Sequence, residues 1–313
     1  MAGQIRFGVV NEMPSSGRLW IDHVRRIEDG GIDVFLVRDH LSASALGPQW
    51  APFSALATAA ASTDRLRVGT MVLANDFRHP AVVAQEAATL ADLSGGRFEL
   101  GMGAGWFEPE FRAAGLAFDL PRTRIARLQE SVHVIKSLLA GETVRFEGEH
   151  YSIAGLSLDL RPAQPPPLLI GGGGPKMLAF AARVADVIGV LPAPIRSPDD
   201  AESAADRLPE AFDRKVEVVR REAGPQRFAE LEICAFVTIQ ITDRKREATE
   251  RLIQERGWSG VTAEDVWTMP TIFIGSRDEI RDLLRERRER FALSYLVTGD
   301  RDLETVSNVA KGL

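Results

Sequence analysis

The sequence predicts an α/β protein built as a TIM-like (β/α)8 barrel with insertions. Eight short runs of apolar and β-branched residues alternate with eight longer amphipathic stretches along the chain. Strands that are separated by helices form right-handed βαβ units and a parallel sheet. Eight such units in 313 residues fit a closed barrel better than an open sheet. We therefore expect a single domain over residues 1–313, with insertions near 141–165 and 192–230.

The predicted elements follow one another in strict alternation. The strands cover residues 5–10, 34–37, 66–73, 98–102, 168–170, 187–191, 231–241 and 292–297. Between them, apolar residues recur at the spacing of a helix with one buried face. The helices cover residues 19–29, 52–61, 80–93, 122–139, 175–185, 202–222, 244–256 and 277–290. Prolines at first helical positions (Pro52, Pro80 and Pro175) and a capping box at 276–279 mark four of the helix starts.

Two segments are longer than the usual connections of a barrel. In the first, residues Val144–Ile153 alternate between apolar and polar, which predicts a hairpin that turns at Glu147–Gly148. The second segment begins at Pro192 and carries a helix. Long insertions commonly overhang the active face of a barrel. The alternative is a solvated decoration without a role in the chemistry.

Composition and charge narrow the range of partners and compartments. The net charge is −6 without any long basic run, so we expect neither nucleic acid nor a membrane as a partner. A single cysteine, Cys234, excludes an internal disulfide and a cysteine-built metal site, and its apolar surroundings predict a buried thiol. The first residues lack an apolar signal core, and no window approaches about 18 apolar residues. We expect a cytoplasmic protein.

The residues that follow the strands are the candidates for chemistry, because the active site of a barrel lies at the carboxyl ends of its strands. Those after the first five strands are Asn11, Glu12, Arg38, Asp39, His40, Asn75, Asp76, Gly103–Trp106 and Gly171–Met177. His40 is the one histidine placed just past a strand end and beside a carboxylate. A histidine there can move a proton near neutral pH, and we expect His40 to be catalytic.

The other histidines are expected to be structural or exposed. His23 and His133 fall in predicted helices, His150 falls in the hairpin, and His79 precedes a helix-starting proline. No cluster of His, Asp or Glu has metal-ligand spacing, so we expect no metal. No Gly-x-Ser-x-Gly motif is present, and a serine hydrolase therefore lacks support.

Two glycine-rich segments predict the close approach of a ligand. In 170–176, a strand ends, four glycines follow, and a helix begins at Pro175. This arrangement presents free N–H groups and the positive end of a helix, as a phosphate site does, and the alternative is a tight turn. It differs from the dinucleotide-binding fingerprint, which follows the first strand of its own βαβ half. Alternate glycines in 101–105, with Trp106 next, indicate backbone close to a flat ligand, and core packing of Trp106 is the equal alternative.

Several motifs together resemble the luciferase-like monooxygenase superfamily. They are Asp39-His40, Gly69–Leu73, Arg78–Pro80, Ala84–Arg97, Gly101–Trp106, Glu110-Phe111, Pro165–Gly174 and Ile274–Glu279. The resemblance extends over nearly the whole chain and is weakest at 192–228. It is closest to the branch that uses the deazaflavin coenzyme F420. It implies a bacterial luciferase-like barrel that holds a flavin-type ring at the carboxyl ends of its strands.

The resemblance also implies roles for particular residues. Asp39 and His40 approach the cofactor ring, and Met71-Val72 forms a bulge with a non-proline cis peptide behind that ring. The residues that hold the cofactor phosphate are Gly172, Gly173, Gly174, Lys176 and Met177. The further cofactor-binding positions are Ala74, Ala104 and Gly105, and the substrate positions are Asn11 and Trp106. The family expectation for assembly is a homodimer.

These observations predict an oxidoreductase that moves a hydride between C5 of F420 and a small organic substrate. His40 would exchange the accompanying proton, while Asp39 would orient His40 or the cofactor ring. One alternative is an FMN-dependent monooxygenase, because FMN and F420 share a tricyclic ring and a ribityl phosphate. A second alternative is a flavin- or deazaflavin-binding protein without turnover. The sequence leaves the substrate and the direction of transfer open.

Overall fold

The computed structural model describes residues 5–12, 16–193 and 203–311. Within these residues the chain forms two compact units. Unit 1 contains the described residues of Met1–Val9, Gly30–Ile32 and Gly171–Leu313, and unit 2 contains those of Val10–Asp29 and Asp33–Ile170. None of the helices in the described ranges combines the length and the apolarity that crossing a bilayer requires.

The strands and helices alternate much as the sequence predicts. The strands are β1 (Arg6–Val10), β2 (Val34–Val37), β3 (Arg67–Thr70), β4 (Leu73–Ala74), β5 (Phe98–Gly103), β6 (Val144–Glu147), β7 (Ser152–Leu156), β8 (Leu168–Gly172), β9 (Val187–Val190), β10 (Glu232–Phe236), β11 (Thr238–Ile241), β12 (Ile272–Gly275) and β13 (Leu293–Gly299). The helices are α1 (Arg18–Asp29), α2 (Ala43–Leu46), α3 (Pro52–Ala61), α4 (Pro80–Leu93), α5 (Glu108–Ala113), α6 (Pro121–Leu139), α7 (Pro175–Val184), α8 (Pro209–Phe228), α9 (Lys245–Glu255), α10 (Ala263–Thr268), α11 (Arg277–Phe291) and α12 (Leu303–Ala310).

The main sheet is a closed ring of eight parallel strands. Its order is β3-β2-β1-β13-β10-β9-β8-β5, and β5 pairs again with β3. The closing register places Val68 opposite Phe98 and Gly69 opposite Glu99. These eight strands coincide with the eight predicted runs, which confirms the (β/α)8 barrel. The small strand β4 continues from β3 along the same neighbour β5.

The seventh predicted strand is divided in two, and this part of the prediction is wrong. β10 ends at Phe236, and β11 pairs in parallel with β12 in a separate two-stranded sheet. The switch occurs at Val237, whose N–H still donates to Val297 of β13, while the next N–H donates to Thr271. An unbroken apolar run carries no mark of a change of partner, because both partners bury it. The run does hold the buried thiol that was expected, since Cys234 is fully buried.

The first insertion is a hairpin, with its turn one residue later than expected. β6 and β7 pair in antiparallel register with Glu147 opposite Ser152, so Glu147 is the last residue of the strand and 148–151 form the turn. The reason lies outside the hairpin. The Glu130 carboxylate of α6 accepts the N–H groups of Glu149, His150 and Tyr151 at 2.8–3.1 Å.

The second insertion contains a helix that starts later than predicted. α8 begins at Pro209, a residue suited to the first helical position, whereas the prediction starts at residue 202. Near its end, Gly224 has a φ of 71° and precedes Pro225, so the helix is kinked there. The first part of the predicted insertion, residues 194–202, lies outside the described residues.

Replacing Glu130 by Gln is expected to destabilise the protein at neutral pH but much less at acidic pH. Burial raises the pKa of the Glu130 carboxyl, but three backbone N–H donors outweigh burial and hold that pKa below its usual 4.5. A lowered pKa stabilises the fold above the unfolded-state pKa, and this contribution is lost as the pH falls through the folded-state value. We expect Glu130→Gln to lower the free energy of unfolding by about 1 kcal/mol at neutral pH.

Urea denaturation of both proteins between about pH 7 and pH 3.5 measures the difference. The control is Glu142→Gln, because Glu142 is exposed, and we expect it to behave as the wild type. A deficit of Glu130→Gln that is the same at both pH values would contradict a role of the ionised carboxylate.

Candidate active site

The carboxyl ends of β2 and β5 carry the residues of unit 2 that were expected to do chemistry. β2 ends at Val37 and is followed by Asp39 and His40, while β5 ends at Gly103 and is followed by Trp106. Parallel strands end at the same edge of a sheet, so the two loops begin at one edge, with only β3 between their strands. The strands are short and almost fully buried, which fixes the start of each loop.

His40 is paired with Glu110, whose role was not predicted from the sequence. Nδ1 of His40 lies 2.9 Å from Oε2 of Glu110. The other carboxylate oxygen accepts the backbone N–H of Leu41 at 2.6 Å and that of Ser42 at 2.9 Å. Glu110 is 3% exposed and lies on α5, a six-residue helix too short to predict from periodicity. The only available signal was its place in the Glu110-Phe111 motif.

This pairing determines which nitrogen of His40 can react. A carboxylate only accepts hydrogen bonds, so the contact places a proton on Nδ1. Nε2, on the far side of the ring, has no hydrogen-bond partner among the residues that the structure describes. The ring of Trp106 stands edge-on to the imidazole, with 5.9 Å between ring centroids. Nε2 is therefore available to exchange a proton with a bound molecule.

Asp39 hydrogen-bonds to Arg78 and Ala74 and not to His40, and its alternative expected role, orienting the cofactor ring, stays a prediction. Its carboxylate accepts hydrogen bonds from both terminal nitrogens of Arg78, at 2.6 and 3.0 Å, and from the backbone N–H of Ala74 at 3.0 Å. The expected orienting contact to His40 is made by Glu110 instead. Asp39 is 4% exposed, so its negative charge needs the guanidinium beside it. Asp39 therefore anchors Ala74 at the end of β4 and Arg78 in the segment that follows.

The bulge expected after β3 is present. The peptide bond between Met71 and Val72 is cis, and pairing with β5 resumes at Leu73. Just before the bulge, the hydroxyl of Thr70 donates to the carbonyl of Gly101 and accepts its N–H, both at 2.8 Å. A Cβ at Gly101 would lie 2.0 Å from the backbone carbonyl oxygen of Thr70. The glycine therefore permits the close approach that closes the barrel here.

Three further predicted positions of unit 2 differ in their surroundings, because two are enclosed by the protein and one is exposed. Asn11 is buried, and its N–H extends the pairing of β1 with β2 by donating to Leu36 at 2.8 Å. Gly105 has a φ of +73°, and Phe111 fills the space where its Cβ would be. Trp106 is 40% exposed, so packing in the core is not its main role.

His79 has the structural role that was expected. Its Nδ1 accepts the N–H of Ala81 at 3.2 Å and so caps the start of α4. Its ring packs edge-on against Tyr151 of the hairpin turn. The Tyr151 hydroxyl in turn accepts a hydrogen bond from the Asn75 side chain. Burial raises the pKa of the Tyr151 hydroxyl, which is protonated at neutral pH even at its ordinary pKa.

The glycine-rich loop that precedes α7 (171–174) belongs to unit 1. Its glycines differ in why a side chain is absent. A Cβ at Gly172 would lie 2.2 Å from the side chain of Met177, and one at Gly173 would lie 2.2 Å from the carbonyl of Leu191. A Cβ at Gly174 would meet nothing within 4 Å, and its φ of −80° suits any residue. Packing therefore explains Gly172 and Gly173 and leaves Gly174 unexplained.

Gly174 is also the N-cap of α7, which starts at Pro175. The first turn of a helix has N–H groups without helical partners and a partial positive charge. Lys176 is exposed in this turn, and Met177 is buried under the loop. The loop can therefore hold an anion at Gly174 and Lys176, with Gly172 and Gly173 supporting it from beneath.

Comparisons with known proteins identify relatives. A sequence profile of the family described as luciferase-like monooxygenase matches residues 10–295. An F420-dependent glucose-6-phosphate dehydrogenase of Kineococcus radiotolerans is 39% identical over 175 residues, which are 53% of this chain and 50% of that protein. The protein of the same description from Nakamurella multipartita is 41% identical over 162 residues, 51% of this chain and 48% of its own length. The chain thus spans about half the length of the curated relatives it matches.

Solved structures share the fold over almost the whole chain. An F420-dependent secondary alcohol dehydrogenase in complex with an F420-acetone adduct has a TM-score of 0.75 at 18% identity, covering 98% of each chain. The monooxygenase RslO1 from Streptomyces bottropensis has a TM-score of 0.75 at 20% identity, covering 99% of this chain and 98% of its own. At these identities the likeness shows the fold alone.

Alanine at Gly173 and alanine at Gly174 are expected to have different effects on stability. Gly173→Ala forces a Cβ into the carbonyl of Leu191 and should lower the free energy of unfolding by about 1–3 kcal/mol. Gly174→Ala enters open space and should change it by less than about 0.5 kcal/mol. Chemical denaturation of the cofactor-free proteins measures both values. Equal destabilisation by the two substitutions would mean that the whole run is a tight turn.

Proposed function

Because the chain belongs to the luciferase-like monooxygenase family, we propose that it is an oxidoreductase that uses coenzyme F420 to move a hydride to or from a small organic substrate. The observation that carries the proposal is the pairing of His40 with Glu110, because hydride transfer to a carbonyl needs an accompanying proton. The curated relatives support the choice of cofactor, since both are described as F420-dependent.

The glycine-rich loop fits the phosphate of such a cofactor. Gly174 lacks a side chain although none of the residues that the structure describes would obstruct one, and it caps the positive end of α7. Lys176 adds an exposed ammonium group in the same turn. Backbone N–H groups at a helix start, together with a cation, are a common phosphate site. We assign the phosphate to Gly174 and Lys176, with Gly172, Gly173 and Met177 shaping the loop.

The residues assigned to the cofactor ring belong to unit 2. They are Asp39, Met71, Val72, Ala74, Ala104 and Gly105, with His40 beside them. One feature of this set fits a flat ligand, because the backbone breaks out of regular pairing at Met71-Val72. Phe111 occupies the space beside Gly105 where a Cβ would be, so packing accounts for that glycine. Asp39 contributes by anchoring Ala74.

The chemistry divides between the cofactor and the protein. Coenzyme F420, when bound, accepts or supplies the hydride. Nε2 of His40 takes the hydroxyl proton when an alcohol is oxidised and returns it when a carbonyl is reduced. The Glu110 carboxylate holds Nδ1 and stabilises the positive charge of the doubly protonated ring. Glu110 thus orients the imidazole, and His40 exchanges one proton for each hydride transferred.

The substrate and the partners follow from the surroundings of His40 and from the charge. Trp106 and Leu41 are large apolar side chains with 40% and 58% exposure, and we assign Trp106 to the substrate together with the buried Asn11. The proposed partners are a small organic molecule and a second copy of the chain, in the cytoplasm. The net charge of −6 disfavours nucleic acid and anionic membranes.

An FMN-dependent monooxygenase is the second candidate. The matching family profile is that of monooxygenases, and FMN would place a similar ring and phosphate on the same residues. The third possibility, a binding protein without turnover, is disfavoured because the His40–Glu110 pair has no evident purpose in storage. Cofactor titration separates the first two candidates, and turnover separates both from the third.

Titration of the protein with F420 and with FMN is expected to favour F420. We expect a dissociation constant for F420 in the low micromolar range or below, about −8 kcal/mol. Gly174→Ala should weaken binding about tenfold or more because its methyl group would enter the space assigned to the phosphate. Lys176→Ala should do so because it removes a charged donor to the phosphate. Lys136→Ala, in an exposed position of α6, serves as the control and should bind as the wild type. Tighter binding of FMN, with oxygen consumed on reduction, would favour the monooxygenase.

Substitutions in the histidine–carboxylate pair are expected to lower turnover and to spare cofactor affinity. His40→Ala should lower kcat by roughly 10²–10⁴, the usual contribution of a positioned acid–base group. Glu110→Gln should lower it by about 10–100-fold, because an amide cannot hold a charged imidazole as well as a carboxylate. Steady-state kinetics gives kcat, and equilibrium titration gives the cofactor affinity.

The matched control is Glu108→Gln on the same helix. The Glu108 side chain is half-buried and pairs with Arg112 four residues later, away from His40, so its loss should leave kcat unchanged. If Glu110→Gln were as active as Glu108→Gln, the pair with His40 would be only structural.

A further inference from the structure

The loop between β5 and α6 carries both residues that contact His40 from the opposite side of the site. Trp106 stands edge-on to the imidazole, and Glu110 pairs with Nδ1. The loop extends over residues 104–120 and contains only the short helix α5. β5 ends at Gly103, so the loop lies beyond the strand pairing of the barrel. Besides the bonds of Glu110 to the loop after β2, the contacts of one arginine hold it.

Arg124, on the first turn of α6, binds the loop at both of its ends. Its Nη1 donates to the carbonyl of Ala104 at 3.1 Å and also to that of Gly105. Its Nε donates to the carbonyl of Asp119 at 2.9 Å. One guanidinium thus joins the residues that leave β5 to those that enter α6. Trp106 and Glu110 lie between these two attachment points.

The middle of the loop packs around the same group. The Arg124 guanidinium lies 4.0 Å from the centroid of the Phe118 ring, and Phe118 contacts Phe111 edge-on at 5.1 Å. Phe111 also fills the space beside Gly105, 2.6 Å from where a Cβ would be. The aromatic contacts therefore connect Arg124 to the helix that carries Glu110.

The requirement is specific for arginine. Arg124 is 7% exposed, and burial lowers its pKa even though carboxylates nearby oppose this effect. A planar guanidinium can serve separate carbonyls in fixed directions while it stacks on a ring. A lysine ammonium at the same place has neither the planar geometry nor the reach to both ends.

We propose that Arg124 is a positioning residue, which holds Trp106 and Glu110 in contact with His40 without touching the reacting atoms itself. This inference rests on the proposed function for its kinetic test. It assigns to Arg124 an effect on the chemical step, in addition to any effect on folding. The loop it fastens is the one that completes the proton-exchanging pair.

Arg97 provides a matched comparison within the same unit. Its guanidinium also serves backbone carbonyls, those of Ala60, Leu66 and Ser94, all at 2.8 Å. Arg97 precedes β5, so it acts at the amino end of the strand, whereas Arg124 acts beyond its carboxyl end. A lysine at either position removes carbonyl contacts, but only Arg124 is connected to residues that contact His40.

The experiment compares Arg124→Lys with Arg97→Lys in the F420-loaded enzyme. We expect Arg124→Lys to lower kcat by about 10–100-fold and to raise the KM for F420 by a smaller factor, because Ala104 and Gly105, whose carbonyls Arg124 binds, are assigned to the cofactor ring. Arg97→Lys should keep kcat within about twofold even where its melting temperature falls. Equal losses of kcat in both variants, or no loss in Arg124→Lys, would overturn the proposal.

A second readout needs no cofactor and no turnover. The fluorescence of Trp106, obtained as the difference from Trp106→Phe, should become at least about twofold more accessible to iodide in Arg124→Lys and unchanged in Arg97→Lys. An unchanged Trp106 signal in Arg124→Lys would overturn the positioning role. If the wild type failed to use F420, the proposed function would fail while this signal still decided the role of Arg124.

Phe118→Leu covers the case in which Arg124→Lys does not fold. It removes the ring beneath the guanidinium and leaves the arginine itself in place. We expect a smaller loss of kcat, about threefold to tenfold, with the Trp106 signal changed in the same direction. A folded Phe118→Leu protein with wild-type kcat and wild-type Trp106 signal would contradict the proposal.

Discussion

The buried carboxylate of Glu110 is the contact on which the arrangement of the site depends. It accepts Nδ1 of His40 and the N–H groups of the two residues that follow, Leu41 and Ser42. A buried carboxylate must be satisfied in this way, because an unpaired one costs several kcal/mol. The same bonds therefore stabilise the loop after β2, select the tautomer of His40 and attach the loop after β5 to both.

The same physical device recurs throughout unit 2. Asp39 holds the N–H of Ala74, Glu130 holds the turn of the hairpin, and Arg124 holds the carbonyls of the loop before α6. Glu130 and Arg124 lie on α6 and satisfy backbone groups of loops, whereas Asp39 lies in the loop after β2 and satisfies the N–H of Ala74 in β4. Such groups would otherwise lose hydrogen bonds to water without replacement. The barrel fixes where each loop starts, and these side chains fix its course.

The glycine-rich loop shows how one sequence motif can combine two constraints. Gly172 and Gly173 are glycine because Met177 and Leu191 occupy the space that a Cβ would need. Gly174 has free space and an ordinary backbone conformation, so the protein itself does not require glycine there. A run of four glycines therefore contains packing positions and one position that favours a ligand.

The sequence by itself determined the barrel, the eight strand positions and the placement of His40 and Asp39 at strand ends. It could do so because the spacing of apolar residues within a short stretch of chain indicates a buried strand or a helix with one buried face. Only the tertiary structure decided that Glu110 is the partner of His40, across a separation of 70 residues. It also decided that Asp39 anchors Ala74 and that the seventh apolar run changes partner at Val237. These outcomes depend on which loops meet, and local periodicity carries no information about such encounters.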